Sequence, residues 1–118
     1  MNADNRLEKL GLPLPPPAKP IGNYRPNRLV GNLLFLSGVG PRHPDGSITT
    51  GKVGAELTLE QGYEAAKLCG LNQLVGIVDA VGGLDRVEAV VKVLGMVNAV
   101  PGFARCTRST QGRQQAMR

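Results

Sequence analysis

The sequence predicts an α+β domain, on three observations. Residues 28–30 and 33–36 are apolar runs on either side of Gly31 and Asn32; a helical pattern follows Thr58; and residues 86–97 form a long β-branched run. A Gly-X pair between two such runs suits a two-residue type II′ hairpin turn. The connection between hairpin and last run is long enough for a crossover that sets that run parallel to a hairpin strand. An amphipathic helix over one face of such a mixed sheet is an α+β arrangement.

Taken in chain order, residues 3–10 predict a short helix capped by Asp4 or Asn5 and ended by Gly11. Pro13, Pro15, Pro16, Pro17 and Pro20 then exclude helix and central strand, which leaves an extended arm. Residues 33–36 are wholly apolar, so a buried central strand is expected there. Ser37, Gly38 and Gly40 end it with small residues that let another group approach the backbone. A polar loop follows over 41–56. Thr58 and Gln61 fit a capping box, and Tyr63, Ala66, Gly70, Leu74, Ile77 and Val81 recur on one helical face. Gly82 and Gly83 end that helix, and residues 86–97 have the strongest strand composition in the chain.

At 118 residues the chain has room for one domain. Aromatics make up only 3%, so the core must be built from aliphatic side chains. Cys69 and Cys106 have no metal-ligand spacing and suggest no disulfide framework, which points to a reducing, cytoplasmic setting. No leader pattern opens the chain, and no apolar run reaches the ~18 residues of a membrane span. The net charge of +5 falls to +1 when Arg105, Arg108, Arg113 and Arg118 are set aside (5 − 4). The basic character therefore belongs to the last fifteen residues and not to a surface stripe, which argues against nucleic acid as a partner.

Ile21-Gly22-Asn23-Tyr24, then Gly31 through Gly38, resembles the opening signature of RidA (YjgF) proteins. Val93-Leu-Gly-Met-Val-Asn98 followed by Pro101-Gly-Phe103 resembles the branch labelled endoribonuclease L-PSP or chorismate mutase-like. The resemblance covers residues 6–103. It implies a chorismate-mutase-like (bacillus type) mixed sheet packed on helices, assembled as a homotrimer with pockets between subunits. It also implies hydrolysis of enamines and imines such as 2-aminoacrylate to a ketoacid and ammonia, with no cofactor and no metal. The substrate would be a small carboxylate-bearing molecule. Tyr24 matches the family's pocket tyrosine, and Ser37 and Gly38 match the strand end that lines the pocket. No catalytic residue is assigned.

Beyond Phe103 the sequence departs from the family pattern of a second helix, a strand bearing a carboxylate-clamping arginine and a last acidic strand. The expected division is an N-terminal helix and Pro-rich arm (1–20), a partial RidA-like domain (21–103) and a basic tail (104–118) that reads as disordered or as a shifted reading frame. Impaired deaminase activity follows as the expectation. The alternative is a non-catalytic small-ligand or regulatory module, and RNA cleavage ranks third. A tail arginine, Arg105 or Arg108, is a poor substitute for the clamp. Ser37 has no His or Asp pattern to activate it, and His43, the only histidine, reads as an inert loop residue.

Overall fold

The computed structural model describes residues 3–16 and 22–103. Helix α1 (Ala3–Lys9) is followed by strands β1 (Asn27–Val30) and β2 (Leu33–Leu36), helix α2 (Leu59–Val81) and a 3-10 turn (Leu84–Arg86). The strands pair antiparallel, with Asn27 opposite Leu36 and Val30 opposite Leu33. Gly31 turns the chain at φ 60°, and Asn32, like every described non-glycine residue, has no positive φ. This is the II′ arrangement expected of Gly-Asn, with glycine at the position that a Cβ would strain.

The pleat sends alternate side chains of β2 to opposite faces. Leu34 and Leu36 pack on the core formed by Leu74, Ile77 and Leu84. Leu33 and Phe35 point the other way, and Phe35 is 58% exposed. β2 is therefore covered on one face only, against the expectation of a buried central strand. An all-apolar strand composition meets that expectation only if a second layer covers the sheet, and none does among the described residues.

Thr58 starts α2 as predicted. Its Oγ1 accepts from the Gln61 backbone N at 3.2 Å, and Gln61 Oε1 accepts from the Thr58 N at 2.8 Å. Gly82 ends α2 in the left-handed region at φ 92°, its N–H donating to Val78 O. Between these caps Leu59, Gly62, Gly70, Gln73, Leu74 and Ile77 are buried. An ideal Cβ on Gly76 would meet Leu36 Cδ2 at 3.7 Å, so the hairpin lies close against this helix. Each fully buried Leu or Ile contributes about 1.5–3 kcal/mol, and this interlock supplies much of the driving force for docking hairpin to helix.

α1 lies where the composition places it, but Asp4 and Asn5 sit inside the helix and do not cap it. The Asp4 Oδ1 instead accepts from the Leu84 backbone N at 3.4 Å, at the start of the 3-10 turn.

Residues 87–98 belong to no strand, although their composition is the most strand-like in the chain. The predicted parallel crossover is likewise not formed among the described residues, where the sheet is the β1–β2 hairpin. β-propensity describes fit to a pleated, half-buried surface, and it makes a strand only where a neighbour offers a ladder. The segment is tied at its end instead: Val53 N donates to Asn98 O at 2.9 Å and Val100 N to Val53 O at 3.1 Å. Val90, Val91 and Met96 stay exposed, Met96 at 88%.

Gly54 makes this tie possible. It holds φ +95°, and an ideal Cβ there would stand 2.7 Å from Val100 Cγ2 and 3.1 Å from the Phe103 ring. Gly54→Ala should therefore destabilise the fold by about 1–3 kcal/mol, from backbone strain and from steric conflict. A lowered urea midpoint relative to wild type checks this, and an unchanged midpoint would show that the 53–54 tie carries no stability.

Candidate functional site

Ser37, the residue after β2, gathers three contacts. Its N–H donates to Pro26 O at 3.0 Å and its hydroxyl donates to Arg25 O. Its carbonyl accepts from Gln73 Nε2 at 3.0 Å. Gln73 is only 7% exposed, so its amide is a buried polar group satisfied by the strand end. The neighbouring Asn72 Nδ2 donates to Gly40 O at 3.2 Å and to Arg42 O at 3.0 Å. Two adjacent amides of α2 thus hold the backbone of residues 37–42.

These bonds place the three expected site residues at one end of the hairpin. Tyr24 precedes the Arg25–Pro26 backbone that Ser37 grips, and it is 48% exposed. Gly38 is exposed, with nothing within 4 Å of an ideal Cβ. The Ser37 hydroxyl is committed as a donor to a backbone carbonyl, so it positions the chain and does not act as a nucleophile. Residues 22–44 carry Arg25, Arg28 and Arg42 and no carboxylate. An open glycine backbone, a phenol and a locally positive segment suit a small anion.

Sequence reasoning missed Asn72 and Gln73. The signal for Gln73 was present: a polar residue one position before Leu74 and three after Gly70, on the predicted apolar face. A wider concavity lies away from the strand end. A groove of about 550 Å³ runs between Leu12, the His43–Thr49 loop, Leu57 and the Leu68 and Leu71 side of α2. It includes none of Tyr24, Ser37 or Gly38. Its polar lining is already engaged in part, His43 Nε2 with Thr49 Oγ1 at 2.7 Å and Gln61 with the α2 cap. Anchored backbone, and not volume, therefore marks the strand end as the candidate site. Among the described residues no cluster of three or more His, Cys, Asp or Glu side chains could hold a metal. No described helix is long and apolar enough to cross a membrane. Arg105, Cys106 and Arg108 lie outside the described residues.

The loop beside the groove carries two perturbed carboxylates. Asp45 Oδ1 accepts from Ser47 Oγ at 2.6 Å and from Ser47 N at 2.8 Å. These bonds, helped by His43, hold its carboxyl below the usual range against a smaller desolvation effect. Glu56 is lowered chiefly by the Lys52 N–H, which donates to its Oε2 at 3.0 Å. A carboxyl lowered by folding stabilises the folded loop above its unfolded pKa, and that contribution is lost as pH falls through the lowered value. The Ser47 amide resonance should therefore move with an acid midpoint below that of a free aspartate, and Asp45→Asn should abolish the transition. A midpoint at or above the free value would contradict the geometry.

The comparisons with known proteins agree with this architecture. A model of the family described as "YjgF/chorismate_mutase-like, putative endoribonuclease" matches residues 4–115, past the Phe103 at which the motif resemblance stops. Protein TCP17 of Trypanosoma cruzi is 40% identical over 97 residues, covering 82% of this chain. The chain spans 61% of the length of that relative. A crystal structure from Shewanella oneidensis MR-1, described as a "putative endoribonuclease", superposes with a TM-score of 0.92 at 30% identity, over 98% of this chain and 77% of that one. The protein Atu1372 of Agrobacterium tumefaciens, of unknown function, superposes at 0.82 with 34% identity, over 95% and 68%. With a family model spanning nearly the whole sequence and the fold reproduced in close relatives, this chain belongs to the YjgF/chorismate mutase-like family.

Proposed function

We propose that the chain is a RidA-type enamine and imine deaminase of weak activity, binding a small carboxylate-bearing substrate at Tyr24, Ser37 and Gly38. The observation that carries this reading is the Gln73–Ser37 anchor, which fixes the strand end beside an open Gly38 and an exposed Tyr24. Family membership supports the class of chemistry. In that chemistry water attacks the C=N carbon, the nitrogen takes up a proton, and the C–N bond breaks to give ketoacid and ammonia. The site's contribution is to hold the substrate, through the Gly38 backbone and the Tyr24 hydroxyl, while water approaches. Turnover should be low, because no described side chain is poised at the strand end as a general base.

A homotrimer with the site between subunits belongs to the same proposal. Val30 and Phe35, on the face of the hairpin turned away from α2, are more than half exposed, which suits a face covered by another subunit. A second reading is a non-catalytic module that binds small carboxylates. The commitment of the Ser37 hydroxyl to Arg25 O favours it, since that leaves binding groups without a nucleophile. RNA cleavage, which the family description names, is less favoured. The one histidine lies on the groove side, bonded to Thr49, and aromatic side chains for stacking bases are few.

Two measurements separate these readings. Pyruvate added to labelled protein should shift the amide resonances of Tyr24, Ser37 and Gly38. Ketoacid release from enzymatically generated 2-aminoacrylate should be slow but above background. Tyr24→Phe should lower it by a few-fold to about tenfold, the worth of one hydrogen bond. Shifts at the site without ketoacid release would establish the binding module. Shifts confined to the groove residues would remove the site assignment altogether.

A further inference from the structure

We propose that residues 3–16 form a detachable strap, docked on the end of α2 and the 3-10 turn, which opens without unfolding α2 and so uncovers the two concavities it walls. Helix α1 has seven residues and none of them is buried. A helix this short is unstable by itself in water, so its helicity depends on what it touches. Its docking contacts are to the 3-10 turn and the apolar cluster. Asp4 accepts from the Leu84 N–H, and Ala3, Leu7 and Leu14 lie against the Leu74, Ile77 and Leu84 cluster.

The strap ends in two bends of its own. Gly11 takes φ 65° after the helix, and Leu12 N donates back to Leu7 O at 3.3 Å. From there Leu12 forms one wall of the 550 Å³ groove. Pro15 and Pro16 wall a smaller concavity of about 160 Å³ against Arg42, His43 and Asn72. Release of the strap therefore removes a wall from both and bares the apolar cluster beneath α1. By contrast α2 has side-chain and glycine caps at its two ends and buried residues along its length. Segments with few buried contacts open at lower free energy than the elements they rest on.

Hydrogen exchange on the intact chain tests this. Amides of residues 6–12 should exchange through a local opening, at least about tenfold faster than those of residues 66–77, and their rates should be insensitive to low denaturant. Leu7→Ala and Asp4→Ala should speed exchange in residues 6–12 and raise binding of an apolar dye, leaving protection in α2 unchanged. Glu8→Gln, which removes a charge from the same helix without touching the 3-10 turn, should change neither. Equal exchange rates in the two segments of the wild type would overturn the proposal. So would loss of α2 protection in either docking variant, since the strap would then be part of one cooperative unit. An effect of Glu8→Gln equal to that of Asp4→Ala would overturn the assigned Asp4 contact.

Discussion

The bond from the buried Gln73 side chain to the Ser37 carbonyl is the constraint on which the candidate site depends. A glutamine amide taken out of water without a partner costs roughly 1–3 kcal/mol, so it holds whatever accepts from it. Here the acceptor is the first residue past β2. The Leu34 and Leu36 side chains, seated on the core cluster, bring that residue within reach. The Ser37 N–H and hydroxyl then pass the constraint on to Pro26 and Arg25, next to Tyr24. One helix position thus sets the geometry of a candidate site made of backbone and loop.

The same helix organises the rest of the molecule. Asn72 holds the carbonyls of Gly40 and Arg42, and the Thr58 cap starts α2 directly after the 53–57 turn. That turn in turn anchors residues 98–103 through Val53 and Gly54. The outward face of the hairpin and residues 87–96 take no part in this framework, and the exposed apolar side chains Phe35, Val91 and Met96 lie there. The division follows from geometry: a single helix can cover only one face of a two-stranded sheet.

Local signals were legible in the sequence. Gly31-Asn32 specified its turn, and Thr58, Gln61 and Gly82 specified both ends of α2, because each depends on neighbours a few residues away. Signals that depend on distant partners were misread. Residues 86–97 had the composition of a strand, but composition does not supply a ladder. The apolar run of β2 implied burial on two faces, and the described chain supplies one layer. Asp4 looked like a helix cap and serves instead as an acceptor for Leu84, eighty positions away in sequence. At the site, Tyr24, Ser37 and Gly38 came from motif resemblance. The anchor at Gln73 was visible only as a polar break in an apolar stripe, and nothing in the sequence said what it would bind.

The most direct test replaces Gln73 with methionine, which keeps length and helix propensity and removes the donor. Backbone amide spectra of the variant should keep the α2 pattern, while Tyr24, Ser37 and Gly38 shift and broaden as the strand end loses its anchor. Unchanged resonances at those three residues, with α2 intact, would contradict the claim that the helix amide sets the site.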